Sequence, residues 1–165
     1  MKVLVTGSFD LLHSGHIAFL KTAYHYGDVY VGIGSDKSIE ALKDRKTINP
    51  QDERLYMVKA IRYVTDAWIN SGTGENDFFL DIEKSQIDML IVNEDQNNND
   101  KRLFCKRMEI VYLVLKRIPE PGLPIRSTTA LIESKHTETV ELALDIVSSI
   151  ANTISGNRKL DGSIK

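Results

Sequence analysis

Short, uniformly apolar runs alternate along this chain with segments of helical period, and that alternation leaves few architectures open to it. Val3-Leu4-Val5 is a β-rich run bounded by Gly7; Ile17, Leu20, Ala23 and Tyr24 then fall at helical spacing until Gly27 supplies a stop. Asp28 to Ile33 reads as a second strand. Asn49-Pro50-Gln51-Asp52 reads as a helix start, with a capping asparagine, proline at the first helical position and an acid in the first turn. That helix is expected to carry Leu55, Val58 and Ile61 on one face and to run into Val64. The pattern further predicts a third strand around Ala67-Trp68-Ile69 and a helix over 76–85 with Phe78, Phe79 and Ile82 inward. A fourth strand over 88–92, a short helix through Leu103 and Phe104, and a fifth strand over 110–115 complete the series. Apolar strands separated by helices imply a mainly parallel sheet covered on both faces. Ligands of such sheets bind outside the carboxyl ends of the strands, so the loops after the first, fourth and fifth strands are the places to look.

Composition narrows the class of partner. The chain has 165 residues, 42% of them hydrophobic, enough for one domain that needs no disulfide, and Cys105 is its single cysteine. A net charge of −2 argues against a general affinity for nucleic-acid backbones. No apolar run approaches the ~20 residues of a membrane span. The first residues read straight into a strand rather than into a signal peptide. The expectation is a soluble, cytoplasmic protein with neither nucleic acid nor membrane as partner.

The chemistry concentrates in Thr6-Gly7-Ser8-Phe9-Asp10-Leu11-Leu12-His13-Ser14-Gly15-His16, which joins the first strand to the first helix. Gly7 lets the backbone come close to a ligand. Gly15 does the same at the helix start, where free N–H groups and the helix dipole favour anions. Two histidines three residues apart can turn both imidazoles into that anion site, whereas a single one would read as a polar core residue. Gly32-Ile33-Gly34-Ser35 lacks the third spaced glycine of a dinucleotide loop and excludes a dehydrogenase reading. Gly72-Thr73-Gly74 reads as a loop. His25 and His136 have no metal-ligand spacing, so no protein-held metal site is expected.

Gly7-Ser8-Phe9-Asp10 followed by His13-Ser14-Gly15-His16 resembles the signature of the cytidylyltransferase-like nucleotidylyltransferases. Leu42-Lys43…Asn49-Pro50…Glu53-Arg54 is similar to the matching loop and helix of heptose-phosphate adenylyltransferases. The stretch Met57 to Val64 is similar to that of glycerol-phosphate and ethanolamine-phosphate cytidylyltransferases, and Arg126-Ser127-Thr128-Thr129 resembles the family's Ile-Ser-Thr-Thr helix start. After the fourth strand, Asp95-Gln96 resembles archaeal FAD synthetases rather than the Gly-Asp-Asp-Trp of the glycerol-phosphate type. Thr65 stands where many cytidylyltransferases carry aspartate, which points to a structural role for Arg62.

The resemblance implies a Rossmann-like fold and transfer of a nucleotidyl group from a nucleoside triphosphate to a small phosphorylated acceptor, with release of pyrophosphate. It implies His13, His16, Lys46 and Arg126 as catalytic residues, with Arg45 as the substitute for Lys46. Gly7, Ser8, Phe9, Asp10, Gly15, Asp95, Ser127 and Thr128 would bind the nucleotide. Mg2+ would arrive with the triphosphate, held mostly by phosphates and water. ATP is favoured over CTP, and a sugar phosphate or polyol phosphate is the first expectation for the acceptor. FMN is the alternative acceptor, and a nucleotide-binding regulatory module without turnover is the alternative outside enzymology.

The resemblance covers residues 1–134, the expected catalytic domain, and leaves 135–165 as a helical extension. There Val140, Leu144, Val147, Ala151 and Ile154 form a stripe alternately four and three residues apart. Such a stripe either packs on its own domain or makes a homodimer. Residues 156–165 are polar and read as a tail.

Overall fold

A computed structural model describes residues 1–160, with side chains described through 150. The chain divides into two compact units, Met1–Arg126 and Ser127–Lys165. The first unit is built on five strands: β1 (Lys2–Gly7), β2 (Asp28–Ile33), β3 (Asp66–Ile69), β4 (Met89–Asn93) and β5 (Val111–Leu115). They pair in the order β3-β2-β1-β4-β5, and every pairing is parallel. This is the parallel sheet that the alternation predicted, in the Rossmann-like form that the resemblance implied. Five helices cover it: α1 (Ser14–Tyr24), α2 (Asp36–Lys43), α3 (Gln51–Lys59), α4 (Phe79–Ser85) and α5 (Asn99–Arg107).

Side chains alternate across the sheet, and both faces are buried, which is why the strands read as continuous apolar runs. Val3 and Val5 of β1 join Leu20, Ala23, Val29, Val31, Val58 and Ile91 in one core. Leu4, between them, joins Leu90, Val92, Phe78, Ile82, Phe104 and Cys105 in the other. The order places β1 at the centre, with the β1–α1 turn at its carboxyl end beside the ends of β2 and β4. A crevice at the reversal of strand order is the general ligand site of such sheets.

Three local expectations change. Helix α2 was not foreseen, although Ser35 caps it by accepting the Ser38 N–H and Asp36 supplies an acid to its first turn. Asn49 does not cap α3. Its backbone N–H donates to Asp10 Oδ1 and its Nδ2 to the Asp10 carbonyl, while the Gln51 N–H at the start of α3 is received by Asp36 Oδ2 from α2. Helix α3 ends at Lys59 rather than at Val64. The missing turn is a bend in which the Ile61 and Val64 N–H groups bond to Val58 and Ile61 carbonyls.

The two loops flanking β1's exit and β2's exit are tied by one side chain. Arg54 of α3 is 0% exposed and donates to the Ser8, Gly34 and Asn49 carbonyls and to Asp36 Oδ1. A guanidinium can satisfy four acceptors in fixed directions; an ammonium cannot.

The second unit is α6, Thr128–Leu160, opened by Ser127, whose Oγ accepts the Ala130 N–H. The boundary expected between 134 and 135 falls inside this helix, and so does 156–160 of the expected tail; 161–165 lie outside the described residues. Val140, Leu144 and Val147 of the stripe are exposed, and the side chains at 151 and 154 lie outside the described residues.

Arg54→Lys should destabilise the fold by about 3 kcal/mol, since it leaves buried carbonyls and a carboxylate without their partner. Urea denaturation followed by circular dichroism measures it. A change below about 1 kcal/mol would mean that the loops hold themselves.

Candidate active site

The β1–α1 turn is shaped by close approaches. Phe9 takes a left-handed φ of 48° and is buried, with its Cε2 3.1 Å from where a Cβ on Gly7 would stand. That strained conformation is held by packing. It also sets the ring 5.0 Å from the His16 ring. At Gly15 a Cβ would meet the His13 ring at 3.0 Å and the Arg126 carbonyl at 3.1 Å, so a side chain there would push one of them aside.

The two histidines form a reciprocal cap on α1. His13 Nδ1 accepts the Gly15 N–H at 3.1 Å, and His16 Nδ1 accepts the His13 N–H at 3.3 Å. This is the capping-box pattern built from imidazoles. The rings stack with centroids 3.9 Å apart. Because each Nδ1 is an acceptor, each neutral ring carries its proton on Nε2 and offers it as a donor. Burial pushes His16 down to about 3, and His13, Arg117 and Lys43 add to the effect. Burial, with Arg117 and Arg126, also lowers His13.

Asp10 is 0% exposed, and both its carboxylate oxygens are taken. Oδ1 accepts the Ile48 and Asn49 N–H groups, and Oδ2 accepts Arg45 at 2.8 Å. Burial alone would raise its pKa, but the hydrogen bonds from Arg45, Asn49 and Ile48 outweigh it and hold the carboxyl below its ordinary range. Asp10 therefore positions the 44–49 loop. Ser8 gives its carbonyl to Arg54 and its Oγ to Lys43 Nζ at 3.3 Å.

Besides Arg45 and Arg54, which bond to Asp10 and Ser8, further cations bear on this turn or on the loop beside it. Lys43, the last residue of α2, is partly desolvated, which lowers its pKa. The Arg126 charge adds to the lowering of the His13 pKa. Lys46 is exposed on the loop after α2, and its carbonyl accepts from Arg45. Arg117, after β5, acts on both histidines and was missed by the sequence reading. It pairs with Asp95, which lies in the single 3-10 turn Glu94–Gln96 after β4. The signal for Arg117 was its place directly beyond a strand end that the topology marks. Arg62 lies over the Tyr63 ring at 5.6 Å.

Two clefts open at the strand ends. The first, about 180 Å³, lies over β1, β2 and α2 and includes Ser8, Lys43 and Asp95 in its lining. Gly74, from the loop read as Gly72-Thr73-Gly74, belongs to it as well. The second is small and lies between α1 and the ends of β4 and β5; it is lined by Gly15, Asn93, Leu115, Lys116 and Arg117 among others. Asn93 Oδ1 is buried there with no partner among the described residues. No group of three or more His, Cys, Asp or Glu that could hold a metal ion occurs among the described residues. No described helix is long and apolar enough to cross a membrane.

A model of the cytidylyltransferase-like family matches residues 4–142, and the chain belongs to that family. It is an enzyme that transfers nucleotidyl groups. It is 39% identical over 106 residues to the FAD synthase of Methanohalophilus mahii, a match covering 64% of this chain and 71% of that one. With the FAD synthase of Pyrococcus abyssi it is 36% identical over 141 residues, 84% of this chain and 93% of that one. Among solved structures, the lipopolysaccharide core biosynthesis protein of Thermoplasma volcanium matches with a TM-score of 0.60 and 22% identity, covering 73% of this chain and 98% of that one. Thermotoga maritima TmcAL bound with alpha-thio ATP matches with a TM-score of 0.59 and 11% identity, covering 86% of this chain and 52% of that one. These two structures share the fold.

The neutral histidine makes stability depend on pH. In the unfolded chain His16 gains a proton as pH falls through 6.5, whereas the folded ring resists protonation until about 3. The unfolded state binds more protons in that window, so stability falls as pH falls, on the order of 1 kcal/mol per pH unit. His16→Asn keeps an acceptor near the Nδ1 position and cannot titrate. Urea denaturation between pH 6.5 and 4.5 should show a shallower loss for the variant; parallel curves would contradict the buried neutral ring.

Proposed function

We propose that the protein is an FMN adenylyltransferase, which joins the AMP part of ATP to the phosphate of FMN and releases pyrophosphate. The observation that carries this reading is the similarity to FAD synthases, which extends over 93% of the length of the one from Pyrococcus abyssi. It favours FMN over the sugar phosphate or polyol phosphate that the sequence suggested first. The Asp95-Gln96 pair points the same way.

The FMN phosphate is ionised at neutral pH and needs no general base. One of its oxygens attacks the α-phosphorus of ATP, and the bond from that phosphorus to the bridging oxygen breaks, so pyrophosphate departs with the electron pair. Catalysis then consists of alignment and of stabilising charge on the reacting phosphates. His13 and His16 donate from Nε2 to the triphosphate, with His16 the stronger contributor as charge moves toward pyrophosphate. Arg117 and Arg126 clamp phosphate oxygens, as forked guanidinium donors do. Ser127 and Thr128 directly follow Arg126 in the chain, and their hydroxyl and N–H groups at a helix start suit phosphate. Gly7 and Gly15 admit the nucleotide to the backbone, while Phe9 holds His16 in place.

The adenosine is assigned to the small cleft at the β4 and β5 ends, where Asn93 Oδ1 lacks a partner. Lys43, bonded to Ser8, is assigned to the FMN phosphate, and Lys46 to the triphosphate from the following loop. Magnesium arriving with ATP would be held by phosphate oxygens and water, which suits a hard cation. Asp10 has no oxygen to spare for it. When bound, the ion would supply further positive charge to the phosphates.

Incubation with FMN and ATP should yield FAD and pyrophosphate, separated by chromatography; CTP, or sugar and polyol phosphates, should yield far less product. Equal or greater turnover of a sugar or polyol phosphate would overturn the FMN assignment. His16→Ala should lower kcat by about two to three orders of magnitude while changing the KM for ATP little. Equal losses in both would contradict a transition-state role. Lys43→Ala should raise the KM for FMN about tenfold; if Lys46→Ala leaves kcat and both KM values unchanged, Lys46 has no part in the reaction.

A further inference from the structure

The larger cleft has two chemically different ends. At one end are Ser8 and Lys43, beside His16. At the other are three polar side chains that folding has taken almost wholly out of water: Asn70 is 4% exposed, Asp77 7% and Lys101 3%. They come from β3's exit, the loop before α4 and the first turn of α5, so no local sequence signal joins them. Burying a carboxylate and an ammonium is costly unless they are paired or held for a ligand.

Their hydrogen bonds are only partly used. Asn70 Nδ2 donates to Asp77 Oδ1 at 2.7 Å, which fixes the carboxylate's direction. Among the described residues Asp77 Oδ2 has no hydrogen-bond partner; it stands 3.4 Å from where a Cβ on Gly34 would lie. Lys101 Nζ donates to the Gln96 carbonyl at 3.0 Å and lies 3.7 Å from Glu75 Oε1, which leaves donor capacity on an ammonium with three N–H groups. Asp77 and Lys101 feel each other's charge. The deep end thus presents the Asp77 acceptor fixed by Asn70 and the Lys101 donor, with the buried Asn70 Oδ1 also unpartnered among the described residues.

The walls choose among ligands that could use such a pair. A phosphate is repelled by Asp77, Glu75 and Asp95 and belongs at the Lys43 end. A polyol could bond to Asp77, but it would set its hydroxyls against Ile39, Leu42 and the backbone of Gly7 and Gly34. Backbone faces and aliphatic side chains suit a flat aromatic ring whose polar atoms lie on its edge. The imide edge of the flavin ring, carbonyl, N3–H, carbonyl, has a donor flanked by acceptors.

We propose that the deep end of this cleft reads the imide edge of the flavin ring, with Asp77 Oδ2 accepting the N3–H and Lys101 Nζ donating to the neighbouring carbonyl, while Asn70 holds Asp77 in line. This rests on FMN being the acceptor. Asp77 and Lys101 are then the residues that distinguish a flavin from other phosphorylated acceptors.

The test compares FMN with N3-methyl-FMN, which lacks the donor, on the wild-type protein and on Asp77→Ala, which removes the acceptor and makes room. The KM for each flavin, the KM for ATP and flavin binding by fluorescence quenching are measured. On the wild type the methyl group should weaken flavin binding about 10- to 100-fold, with the KM for ATP unchanged. On Asp77→Ala the same methyl group should change binding no more than about twofold, because the two alterations remove one interaction. Equal penalties on both proteins, or no penalty on the wild type, overturn the proposal. If Asp77→Ala fails to fold, the wild-type comparison decides alone. Failure of the FMN assignment looks different: the wild type then makes no FAD from FMN and ATP.

Discussion

The buried guanidinium of Arg54 is the contact on which the rest of the site depends. It reaches from α3 across the top of the sheet and gathers the carbonyls after β1 and β2, together with Asp36 at the start of α2. Asp10 complements it from the other side, since its carboxylate receives Arg45 and the Ile48 and Asn49 N–H groups. One buried cation bonded to four acceptors and one buried anion with both oxygens taken therefore fix three loops that contribute no regular structure of their own. A charge in such a place is tolerable only when every donor and acceptor is matched. That requirement gives the loops a single arrangement.

The sheet supplies the second constraint. With β1 central and β2 and β4 on either side, groups that arrive on separate elements meet at one edge. The histidines come from the β1–α1 turn, Lys43 from the end of α2, Asp95 from beyond β4, and Arg117 from beyond β5. The positive groups needed for phosphate chemistry are collected there, which is how a chain with a net charge of −2 can still recognise polyanions.

Much of this was legible in the sequence because its cause is local. Strands buried on both faces must be apolar throughout, so β1, β2 and β4 announced themselves, and the half-buried edge strand β5 carries a similar apolar run. The turn with His13, Gly15 and His16 carried its own spacing. What escaped was settled by distant partners. Asn49 has the composition of a helix cap, yet Asp10, far away in the chain, claims its N–H groups, and Asp36 serves α3 instead. Helix α2 is short and polar, with Ser35 and Asp36 as its only strong markers. Arg117 owes its place to the register of β5, and Asn70, Asp77 and Lys101 meet only because three crossovers end at the same edge.

The reciprocal imidazole cap has a consequence for reading such chains. The His13 and His16 Nδ1 atoms stand in for the serine and glutamate that usually close a helix start. Forming the first turn of α1 and aiming the Nε2 protons are thus one event, and selection for folding alone acts on both residues. A descendant that had lost its reaction would still be under pressure to keep the pair. The motif is a marker of architecture as much as of chemistry, and intact histidines alone do not tell a working enzyme of this fold from a retired one.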